Sequence, residues 1–449
     1  EGPLCWLALT AGQNRLQIRL VAPKQDAVWI RFRSEAASGL GPIRDFLREL
    51  RMDFPRVETE PFAEYVSLWE QILERRDGYR GWQANLEKEV FHPASLIRED
   101  DRDPLDVVTR RVQVLLDHLA SMDQAPDLSA ERREWAGFVE LSAACAPSDL
   151  GSRYELFLQA RVWRRRIMLR NPLLDFDDIL FVHRQHLPPH EGLGNHMCDQ
   201  YFGFHALRKG GVHVLENAFS ESPRVRNILE GTPVENGKFA GETLPPGGYL
   251  SPALSYDGET ILFAYTEAEP SRYRWTEEST YALFRVHRDG TGLRQLTEGP
   301  VNDMHPYWLP NGRIVFISER RGGYGRCHGR PVPTFTLHSM DPEGGDIVAL
   351  SYHETNEWYP AVDNQGMIIY TRWDYTDRGH GQAHHPWITT PDGRDARPIH
   401  GNYGRRHGPL PNMEMQVRPI PGSRKLVATA AGHHAQTYGP LVIIDPSEV

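Results

Sequence analysis

One block of sequence returns at a fixed interval through the second half of this chain. Pro252-Ala253-Leu254-Ser255-Tyr256-Asp257-Gly258 is answered by Pro306-Tyr307-Trp308-Leu309-Pro310-Asn311-Gly312 and again by Pro360-Ala361-Val362-Asp363-Asn364-Gln365-Gly366. The closing glycines fall 54 residues apart, and a looser copy puts Pro421-Gly422 56 residues further on. Each copy runs into an apolar strand: Ile261-Leu262-Phe263, Ile314-Val315-Phe316-Ile317, Met367-Ile368-Ile369-Tyr370 and Leu426-Val427-Ala428. A strand-and-turn unit of this length cannot bury its hydrophobic face alone and does so against its neighbours, which is the pattern of a β-propeller.

A second turn lies inside each unit, at Asp289-Gly290, Glu343-Gly344 and Asp392-Gly393. The unit therefore reads strand A, glycine turn, strand B, long loop, strand C, Asp-Gly-type turn, strand D, the four antiparallel strands of a blade. About five units are present, an irregular one over 175–231 and others starting near 249, 303, 357 and 413, with Val442-Ile443-Ile444-Asp445 as a third strand of the last. The expected fold is mainly β: a six-bladed propeller over 172–449, cut short of its last blade. It is preceded by an α-helical domain over 61–171 and a short β-rich N-terminal segment over 1–60.

In that first segment Leu16, Ile18 and Leu20 alternate with polar residues, as do Val28, Ile30 and Phe32. Two strands do not stand alone, so they read as an edge or remnant of a sheet. Between 61 and 171 the period changes. Val108, Val112, Leu115 and Leu119 make the apolar stripe of a core-facing helix. Ser152 with Glu155 predicts a capping box opening a helix that ends among Arg161, Arg164, Arg165, Arg166 and Arg170, cations suited to the negative end of the helix dipole. Asn171-Pro172 stops it.

A net charge of −10 argues against a general nucleic-acid binder, and no apolar run is long enough for a membrane span. The chain opens on Glu1 rather than Met and is expected to be a processed form or a piece of a longer chain. Of its four cysteines, Cys5, Cys145, Cys198 and Cys327, none forms a Cys-x-x-Cys pair, which excludes a zinc ribbon and covalent haem attachment within these residues. A nucleophile elbow, a P-loop and a His-Glu-x-x-His motif are absent too.

Eighteen of the 20 histidines follow residue 180. In a four-stranded blade the A–B and C–D turns share one face, and the B–C loops and D–A crossovers share the other. The short glycine turns occupy the first face, so the long loops emerge on the second. Those loops and crossovers carry His196, Cys198, Asp303, His305, Cys327, His328, Glu357, Trp358, Arg372, Asp374, His380 and Glu414. Cys327, His328, Cys198 and His196 offer the thiolate and imidazole donors that zinc or another transition metal takes. A disulfide between Cys198 and Cys327, or two buried apolar cysteines, accounts for the same residues. Asp303, His305, Glu357, Trp358, Arg372, Asp374, His380 and Glu414 form a candidate rim for a substrate or partner, although blade-edge carboxylates also cap turns and pair with arginine. In His384-His385 and His433-His434, adjacent strand residues point to opposite faces.

Asn171-Pro172-Leu173-Leu174-Asp175-Phe176, His196-Met197-Cys198-Asp199-Gln200-Tyr201, Gly325-Arg326-Cys327-His328-Gly329-Arg330-Pro331 and Tyr370-Thr371-Arg372-Trp373-Asp374-Tyr375 together resemble the hydrazine synthase alpha subunit-like family. The repeats resemble those of TolB-type propellers. The resemblance covers about 170–449 and, more loosely, the helical segment before it. It implies a periplasmic or secreted bacterial protein on a six-bladed propeller. In hydrazine synthase itself the alpha subunit adds c-type haem domains, with a metal beside one haem, and helps turn nitric oxide and ammonia into hydrazine. With no haem attachment motif here, the resemblance implies at most the propeller part of a redox enzyme, partnered by a c-type cytochrome domain or subunit. Fold likeness does not establish a reaction. The alternative expectation is a TolB-like binding platform without catalysis, docking a protein or carbohydrate through Trp275, Trp358, Trp373 and Tyr375.

Overall fold

The structure is a computed structural model that describes residues 60–76, 90, 92–183, 210–220, 222–267, 280–323, 334–374, 383–401, 411–432 and 439–447. The chain divides into two compact units, Glu1–Phe176 and Asp177–Val449. The two expected strands within 1–60 lie outside the described residues.

Four α-helices build the described part of the first unit: α1 (Glu60–Arg76), α2 (Pro104–Ala120), α3 (Ser129–Ala144) and α4 (Leu150–Met168). Asp103 opens α2, its carboxylate accepting the free N–H groups of Leu105 and Asp106, and Pro104 occupies a first-turn position that needs no donor. Val108, Val112 and Leu119 are fully buried on α2 as the stripe predicts, and Leu115 packs at the margin of the same core. The cap of α4 differs from the Ser152–Glu155 box. The helix starts earlier, at Leu150, because Asp149 reaches both the N–H and the hydroxyl of Ser152, at 3.1 and 2.7 Å. A charged carboxylate is the stronger acceptor for that end of the helix. The arginines near its other end are not only dipole partners: Arg161 and Arg164 both grip Glu64 on α1, at 2.5 and 2.6 Å. At the centre of the bundle Arg153 is fully buried, bonded to Asp103, to Asp106 at 2.7 Å and to the carbonyl of Cys145 at 3.1 Å.

Among its described residues the second unit is built of β-strands, with one short 3-10 turn at Gly237–Phe239. The irregular first repeat gives a three-stranded antiparallel sheet, β1 (Ile179–His183), β2 (Gly211–Glu216) and β3 (Arg224–Asn227). Two four-stranded sheets follow in simple order: β4 (Gly248–Leu254), β5 (Thr260–Thr266), β6 (Ala282–His287) and β7 (Arg294–Gln295), then β8 (Asp303–Trp308), β9 (Ile314–Ser318), β10 (Thr336–Met340) and β11 (Val348–Ala349). The fourth is β12 (Glu357–Val362), β13 (Ile368–Trp373), β14 (His384–Thr389) and β15 (Arg397–Pro398). A single parallel pair, His384 with Met413, joins it to the last, β16 (Met413–Pro419), β17 (Leu426–Ala431) and β18 (Leu441–Ile444). From β4 onward the strands fall where the repeat predicts, including the third strand at the end. The first strands pack side by side, β4 on β8, β8 on β12 and β12 on β16, with β1 against β4. This is the propeller arrangement, successive meander sheets set about an axis by their first strands.

A repeated asparagine latches the second sheet to the third and the third to the fourth. Asn302 accepts the N–H of Tyr281 at 3.0 Å while Asp303 N–H bonds the Tyr281 carbonyl at 2.9 Å; one period later Asn356 accepts from Phe335 at 2.8 Å while Glu357 N–H bonds the Phe335 carbonyl at 2.9 Å. The C–D glycines make the neighbouring contact possible. A Cβ on Gly344 would sit 2.1 Å from the Leu296 carbonyl oxygen, and one on Gly393 2.2 Å from that of Leu350, so only glycine admits these approaches.

Candidate functional site

The register sets the start of a first strand beside the strand ends that flank the long loops, since Asp303 pairs with Ser318, Glu357 with Arg372 and Trp373 with His384. His196, Cys198, Cys327, His328, His380, Trp275 and Tyr375 lie outside the described residues. Among the described residues no group of three or more His, Cys, Asp and Glu is placed to hold a metal ion.

The described rim residues are all recessed, and each has a local role. Asp303, 1% exposed, pairs with Arg320 at 2.8 Å. Glu357, fully buried, accepts the Leu337 N–H at 2.9 Å and bonds the Ser351 hydroxyl. Arg372 donates to Asp374 at 2.8 Å and lies over the Trp387 ring at 3.9 Å. His353 stands 3.4 Å from that same carboxylate, and burial, seconded by Arg372, pushes it down to about 4. Trp358 and Trp373 are at most 1% exposed, stacked with each other and with His384 inside the sheet layers, so their rings are not presented to solvent. Glu414 holds both His385 and His400 through their Nδ1 atoms, at 3.1 and 2.9 Å. Burial works to raise Glu414, but the two imidazole bonds win and hold it below the usual carboxylate range. His384 and His385 thus face different neighbours, as their adjacency on a strand requires.

Burial outweighs Arg320 at the Asp303 corner, pushing Asp303 up to about 6 and the adjacent Glu319 up to about 7. Both carboxyls keep protons in the native state that they lose when unfolded. Their contribution is therefore fully present below about pH 4, the ordinary carboxylate range, and is lost as pH rises through 6 to 7. Glu319→Gln, which keeps an acceptor for the Asn302 N–H, is expected to flatten the decline of unfolding free energy between pH 4.5 and 7.5. Urea titrations across that range test it, and an unaltered slope would count against the assignment.

The axis holds what the sequence did not point to. The first strands β4, β8, β12 and β16 each carry a bulge at the same place, between Leu250 and Ala253, Met304 and Tyr307, Trp358 and Ala361, and Met415 and Arg418. At each bulge one non-glycine residue is left-handed: Ser251 (φ 51°), His305 (φ 53°), Tyr359 (φ 49°) and Gln416 (φ 55°). The first three precede a proline, which disfavours that conformation further, and each such residue costs of order 1–3 kcal/mol. The proline has no N–H to lose because the bulge is already out of the ladder. All four residues line one cavity of about 480 Å³, with Pro252, Pro306, Pro360, Arg418 and Leu441 among the other wall residues. His305, 3% exposed, stacks on Tyr359 at 3.9 Å and accepts its N–H on Nδ1 at 3.2 Å, which places the ring proton on Nε2. Burial, aided by Arg418, pushes His305 down to about 3, so this imidazole is neutral at physiological pH.

No family model matches the chain. A curated relative, dipeptidyl-peptidase 5 of Porphyromonas gingivalis, is 33% identical over 93 residues, 19% of this chain and 13% of its own length. Similar solved structures include hydrazine synthase from Kuenenia stuttgartiensis, 16% identical over 60% of this chain and 38% of that one, with a TM-score of 0.46. TolB from Acinetobacter baumannii is 11% identical over 67% and 60%, with a TM-score of 0.36. Oligogalacturonate lyase from Vibrio parahaemolyticus is 10% identical over 60% and 63%, with a TM-score of 0.35. These likenesses bring no activity to this chain. Among the described residues, no helix is long and apolar enough to cross a membrane.

Proposed function

We propose that this protein is a binding propeller that takes a small ligand in its axial cavity. The observation that carries the reading is the ring of Ser251, His305, Tyr359 and Gln416: four units in succession hold a strained residue at one register position, and all four line the same cavity. Strain repeated by the fold and gathered at one site is a feature of ligand sites, and the volume lies within the usual range of about 300–1,000 Å³ for small-molecule pockets. The recessed rim carboxylates are occupied by partners within the fold, which favours binding over chemistry there.

The closed ring has six blades in this reading. Val427 and Thr429 share a face of the last sheet with Leu441 and Ile443, opposite to the buried Leu426, Ala428 and Ile444. Leu441 and Ile443 are 75% and 45% exposed, an apolar face suited to a further blade. The family resemblance supports a periplasmic or secreted setting. The reading needs neither the metal nor the cytochrome partner expected from Cys198, Cys327 and their histidines.

Filling the cavity tests it. A small-fragment collection screened by ligand-observed NMR is expected to give binders of the native chain that are lost in Ser251→Phe and in Gln416→Trp, and kept in the surface variant Tyr352→Ser. Thermal melts establish that each variant is folded. Binders indifferent to both filling variants, or no binder at all, would overturn the reading.

A further inference from the structure

Arg418 stands in the wall of the axial cavity, just past the Gln416 bulge. Its guanidinium lies over the Tyr307 ring at 5.3 Å, and its one hydrogen bond among the described residues goes from Nη1 to the Val417 carbonyl at 2.9 Å. A guanidinium offers five N–H donors in a fixed fork, so most of this group's capacity is unspent there. Four other arginines of the unit are matched: Arg285 with Glu343, Arg313 with Asp346, Arg320 with Asp303 and Arg372 with Asp374. The chain carries 60 Asp and Glu residues against 50 Lys and Arg, yet among the described residues no carboxylate lines the cavity. The neutral His305 adds no second charge. Burial lowers Arg418 from its ordinary value, the direction expected of a cation short of a counter-charge.

We infer that the axial cavity takes a small organic oxyanion, its charged oxygens on the Arg418 fork and its apolar body against Pro252, Pro306 and Pro360. The inference rests on the axial-binding reading and adds the class of ligand. Arginine suits planar, bidentate recognition of an oxyanion, and the ring of prolines gives the rest of the molecule a rigid apolar seat.

Calorimetric titration of the full chain at pH 7 and low ionic strength, with benzoate, benzamide and inorganic phosphate as probes, decides it. Benzoate is expected to bind about 10- to 100-fold more tightly than the uncharged benzamide, the range of a charge-assisted hydrogen-bonded pair. Arg418→Met is expected to abolish that preference, and Arg418→Lys, which keeps the charge without the fork, to retain part of it. Phosphate binding more tightly than benzoate would overturn the organic body. Equal binding of benzoate and benzamide, unmoved by either Arg418 variant, would overturn the oxyanion; if Ser251→Phe still removes both, the axial-binding reading survives. Should none of the three probes bind, and no fragment respond to cavity filling, both fail.

Discussion

Trp358→Ala is expected to lower the unfolding free energy of the propeller unit by about 3–5 kcal/mol, the usual cost of removing a large buried aromatic ring. The indole is fully buried where the first strand of the fourth sheet meets its neighbours, 6.2 Å from the Trp373 ring and 6.0 Å from His384. It also belongs to the core cluster that runs from Leu250 to Met415 and ties several sheets together. The cavity left behind would lie between sheets, where rigid ladders limit collapse. Trp358→Phe, which keeps an aromatic ring in the layer, is expected to lose much less. Urea unfolding monitored by far-UV circular dichroism reads both. A loss below about 1 kcal/mol for the alanine variant would mean that the ring is a surface group and not a core one.

Arg153→Ala is expected to cost the helical unit about 3–5 kcal/mol by stranding the buried Asp103 and taking one of its partners from Asp106. Arg153 is wholly buried and satisfies two carboxylates and backbone carbonyls at once, so no smaller group replaces it. Asp103 also caps α2, so losing its partner loosens the start of that helix. At Asp106 burial works to raise the carboxyl, but bonds from Arg102 and attraction to Arg153 hold it below the usual range. The native state thus binds fewer protons than the unfolded chain, and this stabilisation is present at neutral pH and fades as pH falls below about 4. Circular dichroism melts at 222 nm at pH 7 and pH 3 measure it. The variant should melt well below the native chain at pH 7 and approach it at pH 3; equal gaps at the two pH values would contradict the ion-pair account.

Much of the propeller was legible because its information is local and repeated. A glycine turn followed by an apolar run specifies a strand pair wherever it occurs, and the 54-residue period sets the order of strands from β4 to β18. The irregular first unit was legible only as a β region, its Gly turns being absent. Burial at the rim was not legible. Asp303, Glu357 and Glu414 are the polar residues a sequence offers to a substrate, but the fold consumes them, Asp303 on Arg320 of its own sheet and Glu357 and Glu414 on the sheet before them. Their partners, Arg320 for Asp303, the Leu337 N–H and Ser351 hydroxyl for Glu357, and His385 and His400 for Glu414, follow no spacing that marks the pairing in the sequence. Asn302 and Asn356, which make the latches, repeat at the period and were findable on that signal alone.

The axial ring was hidden for a different reason. Ser251, His305, Tyr359 and Gln416 share a register position and a backbone conformation but no side-chain chemistry, so nothing in residue type links them. The recurring proline after the first three was visible, yet it reads equally as the start of a turn. Arg418 is one arginine among many, with no distinguishing neighbour in the sequence; only the fold sets it in a cavity that no described carboxylate lines. In the helical unit the stripe on α2 was plain, whereas the α4 cap was misplaced because Asp149 lies one turn ahead of the Ser-x-x-Glu pattern that competes with it.

The axial-binding account meets its most direct test in an experimental structure of the chain with a bound carboxylate such as benzoate. The account predicts the ligand in the cavity ringed by Ser251, His305, Tyr359 and Gln416, its oxygens about 3 Å from the Arg418 guanidinium. A ligand bound elsewhere, or Arg418 already paired with a carboxylate of the protein itself, would contradict it.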